Sequence, residues 1–271
     1  MPASHTTGSI FGSPTGYAVT IVGVPLVLAC DAPAKDVVTT LLAPWGPMAV
    51  EDAPPDLLVS TDGGMGRFRL VARAAGAWTC IGRESLAVAV QDWLDTTVAS
   101  RVSHLTPVHA GVVAIDGRVL LLPASSGAGK TTLVAALVAR GAVYYSDEIA
   151  FVDPDGFVHA YPRHRVVRTG TGERRSASRG WSGEAAPGPA RASHVIAMQY
   201  APGASLALGP ILSSEALLLL LAHTTATVSP AIGAPASLLN VVRRAAAFRG
   251  VRGEVPAAAD QLMQLAVSGP A

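Results

Sequence analysis

A lysine and a threonine leave a glycine-rich turn at a spacing suited to holding phosphates. The turn and its exit read Pro123-Ala124-Ser125-Ser126-Gly127-Ala128-Gly129-Lys130-Thr131-Thr132, between an apolar run at 119–122 and an apolar-faced segment at 133–141. Strand, glycine turn and helix start is the order that a phosphate-binding loop requires. Gly127 and Gly129 let the backbone curl so that successive N–H groups point inward. The helix start adds unpaired amides and its positive dipole end. Lys130 then reaches the β- and γ-phosphates of a nucleotide, and the Thr131 hydroxyl can ligate Mg²⁺. The expected nucleotide contacts are therefore Ser125, Ser126, Gly127, Ala128, Gly129, Lys130, Thr131 and Thr132. Ala124 stands where the usual pattern has its first glycine, one small residue for another.

Two adjacent acids, Asp147 and Glu148, close a short β-rich run downstream of the loop. In phosphate-loop enzymes an acid at the end of a neighbouring strand completes the Mg²⁺ site. A second acid beside it divides the work: one holds metal, the other takes the proton of an attacking hydroxyl or water. Adjacent acids also occur in solvated turns. His109 opens the strand that leads toward the loop, where a histidine can be catalytic or simply structural. Arg163, Arg165 and Arg168 follow Pro162 and either clamp phosphate or an acidic substrate, or edge an exposed strand. Arg249 and Arg252 lie in a glycine-rich stretch read as a turn, a place for mobile phosphate contact, whereas Arg243 and Arg244 read as the polar face of a helix.

The elements that must position these residues follow from turn signals and periodicity. Asp116-Gly117-Arg118 joins apolar runs at 108–115 and 119–122, a strong hairpin signal. Leu133, Val134, Leu137 and Val138 give the segment after the loop an i, i+3/i+4 apolar face, and Gly141 sits where that helix should stop. Short strands are expected at 143–146 and 149–152, with 157–161 folding back across Asp153-Pro154-Asp155-Gly156. The polar stretch 163–191 is long for a connection and reads as a substrate lid or a disordered insertion. Strands at 195–200 and 205–208 are followed by three helices. The first runs from a Ser213 or Ser214 cap to about 223, the second over 236–248 and the third over 256–266.

Upstream, 17–22 and 26–30 read as a hairpin or bent strand, 37–42 as a short helix capped by Asp36, and 57–60 as a strand. Alternation of Phe68, Leu70 and Ala72 with Arg67, Arg69 and Arg73 marks a half-exposed strand, with 78–81 beside it and a helix over 84–98. Residues 17–103 thus form a small α+β module for substrate recognition or structure, after a flexible stretch at 1–16. Residues 104–271 form the catalytic part.

Half of the 271 residues are apolar and 14% are charged, so the chain folds around a sizeable core. A net charge of +1 argues against a nucleic-acid partner. Cys30 and Cys80 have neither metal-ligand spacing nor the density of a disulfide scaffold. The start lacks the positive and apolar segments of a secretion signal, and no apolar run is long enough to cross a membrane. The expectation is a cytoplasmic protein without a membrane partner.

Residues 109–148, HAGVVAIDGRVLLLPASSGAGKTTLVAALVARGAVYYSDE, resemble the catalytic domain of the HPr kinase/phosphorylase family, and most of all its shorter members encoded with bacterial biosynthetic genes. The resemblance implies an α/β fold with a mixed sheet around the phosphate loop, like that of phosphoenolpyruvate carboxykinase. The two expected hairpins agree with this better than with a fully parallel sheet. It implies ATP and Mg²⁺, with Thr131 and Asp147 on the metal side, Glu148 as the base and His109 as its hydrogen-bonding partner. Glu148 stands where the family has an aspartate, which leaves either acid as the base. Glu173, within Gly170-Thr171-Gly172-Glu173-Arg174, falls near the family's glycine-rich signature. The family often assembles into homo-oligomers. Its shorter members include kinases that phosphorylate a serine on a ribosomally made peptide such as a lasso-peptide precursor, and this is the acceptor class implied. A kinase of a small hydroxylated metabolite and a non-catalytic nucleotide-dependent binding protein remain as alternatives.

Overall fold

Two strands joined through Val22-Gly23 open the first sheet. In a computed structural model that describes residues 13–63, 66–168, 174–177, 187–224 and 234–268, β1 (Thr15–Ile21) and β2 (Val24–Cys30) pair antiparallel in register from Thr15↔Cys30 to Ile21↔Val24. α1 (Lys35–Leu42) buries Val38, Leu41 and Leu42. Asp36 lies inside its first turn and does not cap it; Ala34 holds the cap position, and Asp31 caps the short 3-10 turn before it. With β3 (Met48–Val50), β4 (Leu57–Thr61), β5 (Arg67–Ala72) and β6 (Gly76–Ile81), the hairpin makes a six-stranded sheet ordered β3-β1-β2-β4-β5-β6. It is antiparallel except for the β2–β4 pair. β5 alternates as its sequence requires, with Phe68, Leu70 and Ala72 buried. Both cysteines are free thiols.

Contacts divide the chain into two units, Met1–Asp92 and Trp93–Ala271, with the division inside α2 (Arg83–Arg101). In the second unit β7 (Thr106–Ile115) and β8 (Arg118–Pro123) form the expected hairpin. Asp116 and Gly117 both take positive φ, the backbone of a tight hairpin turn. After α3 (Lys130–Val138) come β9 (Val143–Ser146), β10 (Ile149–Val152) and β11 (Phe157–His159). β9 and β10 pair antiparallel with successive parts of β7, and β11 folds back on β10. β12 (Arg165–Arg168) and β13 (Arg174–Ala177) make a hairpin of their own, so part of 163–191 is built as a ribbon. Arg163 and His164 precede this ribbon and residues 187–191 run into the next strand, while 169–173 and 178–186 of the expected lid lie outside the described residues.

β14 (Ala190–Tyr200) runs parallel to β8 on one side. β15 (Ala207–Pro210), α4 (Ser213–Ala222), α5 (Ala234–Val242), β16 (Ala246–Arg252) and α6 (Val255–Ser268) follow. β16 runs parallel to β14 and antiparallel to β15. The whole is a mixed eight-stranded sheet. β11 also pairs with β14, closing β10-β7-β8-β14-β11 into a ring. Both faces of β7 and β8 are buried, which explains their continuous apolar runs. Val113, Ile115, Leu120 and Leu122 face α3 and α6, while Val112, Ala114, Val119 and Leu121 share a core with residues of α4 and α5. Gly111 lets α3 approach β7 closely: a Cβ there would sit 2.8 Å from Val134 Cγ2.

Three sequence expectations fail in this region. The helix expected over 236–248 ends at Val242, and residues 246–252 are a strand. Alanine-rich sequence favours a helix locally, but the slot between β14 and β15 supplies a ladder on both sides. Arg243 and Arg244 are exposed after α5 and not on its face. Ser213 and Ser214 lie inside α4, whose cap position is Leu212 without a side-chain hydrogen bond. Among the described residues no helix is long and apolar enough to cross a membrane.

Candidate active site

The loop between β8 and α3 takes the shape its glycines permit. Gly127 and Gly129 have φ of 84° and 80°, and Gly129 is the N-cap of α3. The first helical bond runs from Leu133 N to Gly129 O, so the amides of Lys130, Thr131 and Thr132 precede the helical ladder. Lys130 is buried and folds its ammonium back onto the loop, donating to Ala124 O at 2.8 Å and Ser125 O at 3.2 Å. Burial lowers its pKa, opposed by the negative charges of Glu148 and Asp147. Ser125, Ser126 and Gly127 are exposed, Ala128, Gly129 and Thr131 half-buried, and Thr132 exposed.

The acids arrive from the β9–β10 turn. Ser146 shapes that turn: its buried hydroxyl accepts from Glu148 N at 3.3 Å and Ile149 N at 3.2 Å. The register Ile149↔His109 sets His109 beside Glu148, with Nε2 3.1 Å from Oε1. Burial pushes the Glu148 carboxyl up, but the adjacent His109 and the charges of Arg163 and Lys130 outweigh it and hold the group down at about 2. Glu148 is still 38% exposed, whereas the Asp147 side chain is completely enclosed. Asp147 Oδ1 accepts from Tyr144 Oη at 2.8 Å and faces Arg163 at 3.4 Å. Its Oδ2 is buried and takes no hydrogen bond among the described residues.

Behind the acids lies a buried guanidinium. Arg163, 2% exposed, reaches Asp95 Oδ2 at 2.8 Å, Asp147 Oδ1 at 3.4 Å and Glu148 Oε2 at 3.9 Å. Burial disfavours its charge, yet Asp95 and Asp147 more than compensate and raise its pKa. Tyr161 Oη donates to Asp95 Oδ1 at 2.8 Å. Arg163 is therefore neither an exposed edge nor an open phosphate clamp: it is the internal counter-ion of the acid pair. Asp95, Tyr144 and Tyr161 were not singled out by sequence reasoning. The available signal was an acid at 95 beside the apolar residues Trp93, Leu94 and Val98 of a helix, since an acid buried there needs a cation.

Of the remaining basic candidates, the structure brings Arg252 to the loop. It is buried at the end of β16, not in a mobile turn, and Nη2 donates to Ala128 O at 2.7 Å. A Cβ on Gly129 would come within 2.6 Å of the same nitrogen. Arg249 is exposed on that strand, and its odd spacing from Arg252 puts it on the opposite face, away from the loop. Arg165 and Arg168 pair with Ala177 and Arg174 through the backbone of β12. Glu173 lies outside the described residues.

Among the described residues no three of His, Cys, Asp and Glu cluster as a metal cage. A cation here would be shared with phosphate, as Mg²⁺ usually is. The chemistry of the donor set fits: Asp147 has an enclosed, unsatisfied oxygen, and Thr131 offers a hydroxyl at the helix start.

No family model matches the chain, and neither does any curated protein. A solved structure, that of the HPr(Ser) kinase/phosphatase from Coxiella burnetii, is similar over 60% of this chain and 99% of its own, with 13% identity and a TM-score of 0.32. With so little identity, what the site does has to follow from this chain's own side chains.

Proposed function

We propose that the chain is a kinase that moves the γ-phosphoryl group of ATP to a hydroxyl. The observation that supports this most is a lysine-closed phosphate loop sharing one electrostatic site with two carboxylates in contrasting states. One is enclosed with a bare oxygen, and the other is solvent-accessible, ionised and histidine-paired.

Lys130 and the amides that open α3 bind the phosphates and oppose the charge that spreads over the transferring phosphoryl oxygens. Thr131 and Asp147 would hold Mg²⁺, which would supply neutralisation of phosphate charge. Glu148, with one edge to solvent, accepts the hydrogen bond of the acceptor hydroxyl and aims its oxygen at phosphorus. The bond from γ-phosphorus to the ADP oxygen breaks, the bond to the acceptor oxygen forms, and the acceptor's proton passes to Glu148 and then to solvent. A carboxylate held at about 2 is a weak base. In a loose transition state that suffices, because the hydroxyl becomes strongly acidic only once its oxygen is bonded to phosphorus. His109 keeps Glu148 ionised and in place. Asp147, tied by Tyr144 and Arg163, has no comparable access to an acceptor, which favours Glu148 as the base.

For the acceptor we propose a serine hydroxyl of a ribosomally made precursor peptide, a choice that rests on the sequence resemblance of residues 109–148. The test is intact-mass analysis of a co-encoded peptide incubated with protein, ATP and Mg²⁺, with fragmentation to locate the modification. One added phosphate on a serine is expected, reduced at least about a hundredfold in rate by Lys130→Ala. Near-wild-type transfer by that variant would sink the mechanism. ATP turnover with a small polyol but not with peptide would replace the acceptor and keep the kinase.

A further inference from the structure

At the opposite end of the sheet from the phosphate loop, the starts of three parallel strands enclose a depression of about 510 Å³. Its lining is Arg118 at the start of β8, Arg191 to His194 on β14, and Arg244 and Ala246 around the start of β16. Three arginines line it, of which Arg118 already gives Nη1 to Ala266 O, and no carboxylate is among its described lining residues. β8 separates this place from the loop by roughly 17 Å, six residues at strand rise.

Arg191 and Arg244 have further donors to give. Arg191 spends one on Asp155 O at 2.8 Å and lays its guanidinium over the Phe157 ring at 4.0 Å, which fixes its direction. Arg244 is exposed, and no acid pairs with it among the described residues. His194 is the second, independent sign. It is only 3% exposed and stacks on Phe248 with centroids 6.2 Å apart, yet neither ring nitrogen has a hydrogen-bond partner among the described residues. A buried imidazole with both nitrogens idle costs free energy unless something polar sits against it. Guanidiniums suit a multiply charged oxyanion, because each can offer parallel N–H donors to two oxygens. The volume admits more than a single inorganic ion and lies in the range of small-molecule sites.

We propose that this depression is a second anion site, taking a small, multiply charged oxyanion that bears phosphate or carboxylate groups. It stands independently of the kinase reading, since it shares no residue with the loop or the acid pair. Burial, and then the charge of Arg118, lower the His194 pKa, which favours the neutral ring. A bound anion offsets both effects and draws a proton onto it.

The experiment follows the His194 ring protons by NMR in the full-length protein, assigned with His194→Gln, during titration with pyrophosphate and, separately, citrate. A saturable shift is expected with at least one of them, and the stronger of the two identifies the headgroup. Arg244→Gln, a change on the surface, should raise the half-saturating concentration about tenfold, the worth of one charged hydrogen bond. Lys130→Ala should leave it unchanged. Silence of His194 toward both ions at millimolar concentration overturns the proposal. So does a shift weakened by Lys130→Ala but not by Arg244→Gln, which would place the anion on the phosphate loop.

Discussion

Replacing Arg163 with methionine removes a charge but keeps most of the side chain's length. In the native protein the guanidinium faces Asp95 at 2.8 Å and Asp147 at 3.4 Å, all three groups being nearly or fully enclosed. With an effective dielectric near 20, the gross attraction is roughly 6 kcal/mol for the first pair and roughly 5 kcal/mol for the second. Desolvation of the three ions cancels much of that, but Arg163→Met keeps the desolvation cost of both carboxylates while deleting the attraction. The expected loss is therefore about 3–5 kcal/mol, the usual cost of stranding a buried ion. Urea unfolding followed by circular dichroism reads this as a lower midpoint at constant m. A second change makes the test directional. Asp95→Asn alone should destabilise, because it removes Arg163's shortest ion pair. On the Arg163→Met background it should stabilise, because the asparagine amide still accepts from Tyr161 and no longer carries a stranded charge. The reasoning is refuted if Arg163→Met costs less than about 1 kcal/mol, or if Asp95→Asn has the same effect in both backgrounds.

Three further outcomes follow from the same geometry. Gly129→Ala combines a left-handed φ of 80° with a Cβ 2.6 Å from Arg252 Nη2, so ATP affinity measured by calorimetry should fall by about tenfold or more. Arg252→Ala should weaken ATP binding more than it slows transfer at saturating ATP, since Arg252 braces Ala128 from behind; a fall in kcat at unchanged KM would contradict that. Glu148 has a folded pKa of about 2 against an ordinary 4.5, so its contribution to stability is complete above 4.5 and is lost as pH falls toward 2. Glu148→Gln should remove that part of the acid dependence, and an unchanged midpoint-versus-pH curve across the window would show that the His109 and Arg163 partnerships are weak.

The strand–glycine turn–helix at 119–138, the hairpin at Asp116-Gly117 and the placing of the acid pair after β9 were readable in the sequence because each is decided by neighbours along the chain. A turn residue's φ, a helix start and an alternating strand depend on a handful of consecutive side chains. What surrounds the acids was not readable, because its parts come from distant segments. Asp95 and Tyr161 are 66 residues apart, and Arg252 and Ala128 are 124 apart. Arg163 looked like one of three basic residues on an edge. Only its enclosure between α2 and the β9–β10 turn turned it into a counter-ion, since burial makes a charge seek partners that the surface never demands. Arg249 and Arg252 were equivalent in sequence, and a strand's two-residue period sent one to solvent and the other to the loop. That strand was itself misread as helix. Local propensity favoured a coil of alanines, and the open ladder between β14 and β15 outweighed it through hydrogen bonds that no local sequence encodes.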